Sequence, residues 1–259
     1  MIGRNRIYCL LSFVIVLVGC NARINGPISL DIGEVQDPED VGGIWTGSDD
    51  TGLEIYAISR DAGGMRWVIP ATGEQGFGFA SAVGTSLEIY YTYVAPLGSS
   101  LSDGATSANC TATGTIAERD HIDVRTWCDT TANSRFENSA LLTYSALYDR
   151  DSSLATIAGN YDDQGLVLNV NGAGEIFEQN PESGCIMSGQ VSIIDSRYNA
   201  YDIWITYSDC VGDAAALNGT RFSGLGTLDD SVNPEQLFVA LVGDVDGLTY
   251  SVVYVLPKL

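Results

Sequence analysis

The chain has 259 residues, with 33 acidic residues against 12 basic ones and a formal charge of −21. That balance argues against nucleic acid, whose phosphates need a Lys- and Arg-rich surface, and against docking on an anionic bilayer by charge. A single lysine, Lys258, and a single histidine, His121, leave little Lys- or His-dependent chemistry and exclude a multi-histidine metal site within one chain. At 45% apolar and 17% charged residues, the composition is that of a folded protein.

Residues 1–20 read MIGRNRIYCLLSFVIVLVGC. Arg4 and Arg6 form a positive start, and Ile7 to Val18 form an apolar run of signal-peptide length, short for a membrane span. The run ends in Leu17-Val18-Gly19-Cys20, which resembles the lipobox of bacterial lipoproteins. The resemblance implies a signal peptide over 1–19, a diacylglycerol thioether on Cys20 and an acylated amine after cleavage. Two or three acyl chains hold a protein stably where one holds it marginally, at about 0.8 kcal/mol per buried CH₂. Asn21, rather than Asp, after the cysteine points to the outer membrane under the enterobacterial sorting pattern. Cleavage removes Arg4 and Arg6 and no acid, which takes the formal charge from −21 to −23.

Residues 20–40 carry Pro27, Pro38 and several acids without apolar periodicity, and read as a lipidated flexible tether. From Val41 the pattern becomes short β runs separated by Gly, Asn, Asp and Ser. In chain order the expected strands are Gly43–Thr46, Leu53–Ser59, Met65–Ile69, Gly76–Val83, Ser86–Val94, Cys110–Glu118, His121–Cys128 and Ser139–Tyr148. There follow Thr156–Tyr161, Gly165–Val170, Gly174–Glu178, Cys185–Ile194, Ala200–Ser208, Gly219–Leu228, Leu237–Val242 and Leu248–Leu256. In Tyr201–Tyr207 one face carries Tyr201, Ile203, Ile205 and Tyr207, and the other Asp202, Trp204 and Thr206, as in an antiparallel sheet with one wet face.

Two series of landmarks run in the same order through the two halves. Gly43-x-Trp45 and Asp49-Asp50-x-Gly52 match Gly159-x-Tyr161 and Asp162-Asp163-x-Gly165. Cys110-x-x-x-Gly114 matches Cys185-x-x-x-Gly189, and Cys128 matches Cys210. Arg135-Phe136 matches Arg221-Phe222, and Leu142-Thr143-Tyr144-Ser145 matches Leu248-Thr249-Tyr250-Ser251. The expected fold is all-β: two diverged antiparallel β repeats, each a small barrel or sandwich, spanning 41–150 and 151–259. Closing each sheet into a barrel removes edges that invite aggregation.

Beyond Cys9 in the signal and Cys20, four cysteines remain: Cys110, Cys128, Cys185 and Cys210. Four allow three connectivities. Cys110–Cys128 and Cys185–Cys210 are favoured because each pair encloses one strand-turn-strand unit, each worth roughly 3 kcal/mol in the chain-entropy model. CxxC spacing is absent, which disfavours zinc.

The layout of lipobox, polar tether and Gly-rich β domains resembles the tandem-β-barrel surface lipoproteins of Gram-negative bacteria, such as the transferrin-binding and factor-H-binding groups. No motif beyond the lipobox is shared, so no binding residue carries over; the acidity and scarcity of lysine depart from those groups.

No catalytic constellation stands out. His121, flanked by Asp120 and Asp123, reads as a solvated turn histidine, and neither a Gly-x-Ser-x-Gly elbow nor a Gly-x-x-x-x-Gly-Lys loop is present. The turn-like acids Asp49, Asp50, Asp162, Asp163, Asp244 and Asp246 are calcium candidates, since calcium takes carboxylate and carbonyl oxygens. The competing reading is side-chain capping of turns. Tyr90, Tyr91, Tyr93, Tyr201, Trp204 and Tyr207 divide between core and contact surface. The expected function is a non-catalytic binding module for an envelope or extracellular partner, protein or glycan and not nucleic acid, held at the outer membrane by lipid. The alternative is a periplasm-facing structural accessory of an outer-membrane assembly.

Overall fold

The structure is a computed structural model and describes residues 40–259. The signal peptide, Cys20 and nearly all of the tether lie outside the described residues.

The first β unit runs β1 (Gly43–Asp49), β2 (Glu54–Ser59), β3 (Gly64–Ile69), β4 (Glu74–Val83), β5 (Ser86–Val94), β6 (Ser107–Ala117), β7 (His121–Thr130) and β8 (Arg135–Tyr144). Each strand pairs antiparallel with the next, and β8 returns to β1 in the register Trp45↔Tyr144 to Asp49↔Ala140, closing a barrel. The second unit begins with one helical turn, α1 (Leu154–Ile157), capped by Ser153 Oγ accepting from Thr156 N–H. It continues β9 (Gly159–Asp163), β10 (Leu166–Val170), β11 (Glu175–Gln179), β12 (Ile186–Ile193), β13 (Tyr201–Ser208), β14 (Arg221–Asp229), β15 (Gln236–Val245) and β16 (Leu248–Pro257). This is again an up-and-down antiparallel meander. Its ends meet at one bridge, Tyr161↔Lys258, beside a bond from Leu259 N–H to Asn160 O at 2.8 Å. The lone lysine helps to hold that junction: Lys258 Nζ donates to Thr156 O at 3.0 Å and to Glu235 at 2.9 Å.

Each of the sixteen expected strands overlaps an observed one, and the two largest differences in placement have local reasons. The eighth begins four residues earlier, at Arg135, because Arg135 and Phe136 pair with Asp129 and Cys128 of β7. It ends at Tyr144, and Leu147 and Tyr148 turn away to pack between the two units. Thr156–Tyr161 is not one strand: Ser153 caps α1 there, and extended chain resumes only at Gly159.

Alternation sets what each face buries. In the first barrel Trp45, Ile55, Ala57, Met65, Ile89, Tyr91 and their neighbours fill the lumen. In the second, Tyr161, Leu168, Ile176, Met187, Ile203, Phe222 and Leu241 do the same. A third cluster takes residues from the outer faces: Ile44, Ile58 and Val68 of the first unit meet Leu225, Phe238 and Ala240 of the second. Tyr56 packs on Phe238 at 4.3 Å between ring centroids, and Tyr148 stacks on Tyr198 at 4.6 Å. Gln75 Nε2 donates to Leu241 O at 3.2 Å. Ser251 on β16 bonds three times to the first unit: its N–H to Ala95 O, its carbonyl from Leu97 N–H, its hydroxyl to Gly73 O. The two β units therefore pack as one compact body.

Both favoured disulfides are present, Cys110–Cys128 and Cys185–Cys210. Cys110 and Cys128 are directly opposite in register. The landmarks shared by the halves do not all fall on equivalent strands. Trp45 and Tyr161 both lie on the first strand of their unit, but the first disulfide joins the sixth and seventh strands and the second flanks the fourth and fifth. Arg135-Phe136 opens the eighth strand of its unit and Arg221-Phe222 the sixth. The extra hairpin before Cys110 is offset by one after Cys210, so both units reach eight strands.

Candidate functional site

Of the six acids proposed for calcium, Asp49, Asp50, Asp162 and Asp244 accept hydrogen bonds at turns and strand ends; Asp163 ends β9 and Asp246 lies in a hairpin loop. Asp49 Oδ1 accepts from Thr51 N–H, Thr51 Oγ1 and Leu53 N–H at 2.7–2.9 Å, while Oδ2 accepts from Asn138 at 3.0 Å. These bonds outweigh desolvation and hold its carboxyl below the ordinary value. Asp50 accepts from Ser139 N–H and Oγ. Asp162 Oδ1 accepts from Gly165 N–H at 2.8 Å, and Asp244 from Thr249 Oγ1 at 2.6 Å. Asp246-Gly247 and Gln164-Gly165 are two-residue hairpin loops with both residues at positive φ, the backbone that matches strand twist. Among the described residues no group of three or more His, Cys, Asp or Glu is placed to hold a metal ion. His121 opens β7, exposed, with Nδ1 2.9 Å from Asp120.

The lumen of the first barrel is lined by Trp45, Trp67, Ile89, Tyr91, Tyr93 and Phe136 and encloses about 90 Å³. Trp67 stacks on Tyr93 at 5.2 Å, and Tyr93 Oη donates to Glu74 at 2.6 Å. A Cβ on Gly76 would collide with the Trp67 indole, so glycine is required there. A dry cavity of about 150 Å³ accommodates benzene; this smaller space is a nearly filled core.

The outer face of β3–β5 differs. Alternation that sends Tyr91 and Tyr93 inward sends Tyr90 outward, and Phe77 and Phe79 of β4 point the same way. Phe79 and Tyr90 are directly opposite in register and are 62% and 58% exposed. Arg66 of β3 is opposite Phe77, with its guanidinium 5.2 Å from that ring. Its Nε is buried without a partner, and burial, then the nearby Arg60 charge, draws its pKa down to about 10. Phe77 and Tyr90 also border a shallow concavity of about 570 Å³ completed by Thr92, Asn109, Thr111 and Asp129. Aromatic surface beside amide, hydroxyl and carboxylate groups suits contact with a polar macromolecular surface.

Of the aromatics singled out in the sequence, Tyr91, Tyr93, Tyr201 and Tyr207 face the lumens, and Tyr90 and Trp204 face outward. Trp204 is covered by the Arg221 guanidinium at 4.3 Å, which leaves Tyr90 and its phenylalanine neighbours as the open group. Phe77, Phe79 and Arg66 were missed by sequence reasoning. The signal was there, since Gly76-Phe77-Gly78-Phe79 alternates aromatic with glycine, but only register puts it beside Tyr90. No protein-family model matches the chain, and no curated protein matches it either.

Proposed function

We propose that this protein is a lipoprotein anchored through Cys20 at the outer membrane and acts as a non-catalytic binding module for an envelope or extracellular partner, protein or glycan. The observation that carries the reading is the exposed Phe79–Tyr90 pair, flanked by Phe77 and Arg66, on a closed, disulfide-linked barrel. Large aromatic side chains held on rigid strands give contact area at low entropic cost.

The test places a photo-cross-linking residue at position 79 or 90 in the full chain expressed in its own cells, with position 141 as control. Leu141 is equally exposed, at 59%, but lies on β8. Adducts from 79 and 90 and none from 141 support the reading. Adducts from all three, or from none, overturn it. Protease treatment of intact against permeabilised cells then separates an extracellular partner from a periplasmic one.

A further inference from the structure

We propose that the mouth of the second β unit binds the ammonium group of a small organic amine, held between the carboxyls of Glu178 and Asp163. This inference stands apart from the aromatic face of the first barrel.

Glu178 lies on β11 two residues after the lumen residue Ile176, and Asp163 on β9 two residues after Tyr161. The pleat therefore points both carboxyls inward at one end of the unit. Deeper in, the lumen is packed, with about 10 Å³ of free space among Leu168, Met187, Ile203 and Leu237. At the mouth it opens into a recess of about 590 Å³ bounded by both carboxyls, Tyr207, Tyr254, Leu166 and Leu217. Glu178 is only 7% exposed, and its Oε2 is buried with no hydrogen-bond partner. A buried carboxylate oxygen without a donor is costly, and a second carboxyl in contact with it raises the cost.

Either a proton or an arriving cation relieves that arrangement. Desolvation, then the charge of Asp163 and a side-chain hydrogen bond between the two carboxyls, pushes the Glu178 carboxyl up to about 7, so near neutrality the pair exchanges a proton readily. Asp163 is itself shifted upward by burial, against the lowering effect of its hydrogen bond with Glu178, and further upward by neighbouring Asp162. The other groups facing the pair are Glu182 at the rim and the phenols of Tyr207 and Tyr254, bonded to each other at 2.7 Å and kept protonated by burial.

The shape of the recess distinguishes an amine from a metal. Calcium takes six to eight oxygens, and among the described residues no group of three or more His, Cys, Asp or Glu is placed to hold a metal ion. An ammonium has three donors, which two carboxylates and a phenol oxygen can accept. The hydrocarbon body of an amine would lie against Leu166, Met187 and Leu217. A chain of charge −21 also draws cations toward it.

The experiment titrates the full chain, purified in mild detergent, with n-butylammonium by calorimetry at pH 7 in two buffers of different ionisation enthalpy. n-Butanol and calcium chloride serve as comparison ligands. The expected result is saturable one-to-one binding of n-butylammonium in the millimolar range or tighter, with net proton release and no matching uptake of n-butanol. E178Q and D163N should each weaken it at least tenfold while circular dichroism and both disulfides remain as in the parent. Y254F keeps both carboxyls and should retain binding within a few-fold. No saturable binding, equal binding of n-butanol, preference for calcium, or unchanged affinity in E178Q overturns the proposal.

Discussion

Trp45 and Tyr161 stand at the same place in the two β units: each is on the first strand, faces the lumen and is fully buried with its polar tip satisfied. Trp45 Nε1 donates to Ser59 Oγ at 3.0 Å, and Tyr161 Oη donates to Ile157 O at 2.6 Å. A bulky aromatic with one polar atom can close the end of a small barrel only if a partner waits there. Ser59 supplies it in one unit and Ile157, at the end of α1, in the other.

Ser59 is therefore a structural hub, accepting from Trp45 and donating to Val41 O. Ser59→Ala leaves a buried indole N–H and a carbonyl without partners and should cost about 1–3 kcal/mol. Urea denaturation followed by tryptophan fluorescence measures it. A midpoint equal to that of the parent would show that water replaces the hydroxyl.

The Cys110–Cys128 bond closes a loop of sequence separation 18 within paired strands. Replacing both cysteines by alanine should lower stability by roughly 2–4 kcal/mol, measured by thermal unfolding beside the parent protein. The strands should still pair, because the ladder on both sides of the bond is continuous from Ala108 to Ala117.

Phe238 couples the units, lying 8% exposed against Tyr56. Phe238→Ala should cost about 3–5 kcal/mol and split one calorimetric unfolding transition into two, since each β unit retains its own core. One undivided transition at the parent temperature would show that the bonds of Ser251 and Gln75 hold the seam without Phe238.

Glu178 predicts a pH dependence with a definite sign. Its carboxyl titrates at about 7 in the folded protein against an ordinary value of 4.5. Below the ordinary value it is protonated in folded and unfolded chains, and its contribution to stability is fully present. That contribution is lost as pH rises through about 7, because the unfolded chain releases the proton first and the folded protein must then bury the charge. The melting temperature of the parent should fall relative to that of E178Q between about pH 4.5 and 7, and the difference should level off above. Parallel melting curves across that range would remove Glu178 as the cause. The opposite slope from Asp49, held low by its turn bonds, is common to both proteins and cancels in the comparison.

Much of the fold was legible because strand alternation is a local property. Tyr201–Tyr207 could be divided into two faces residue by residue, and the structure keeps that division. The disulfide pairs were legible because each pair brackets one hairpin. Misplacement came where local signals compete. Tyr144 and Tyr148 both suit a strand, yet only Tyr144 stays in β8, because Tyr148 gains a stacked partner, Tyr198, from the other unit. Likewise Asp244 and Asp246 carry the residue types of a calcium loop, and the two-residue turn at Asp246-Gly247 places them in a hairpin.

By itself the sequence determined the all-β class, about sixteen alternating strands, the two disulfide pairs and the acidic charge, since each follows from local periodicity, spacing or composition. Tertiary structure decided which sites exist. Closure between β1 and β8 turned one face of each strand into core and left Phe79 beside Tyr90 outside. The curl of the second sheet brought Glu178 to Asp163 across 15 positions of sequence. Such pairings depend on register and curvature summed over several strands, and no local window of residues contains them.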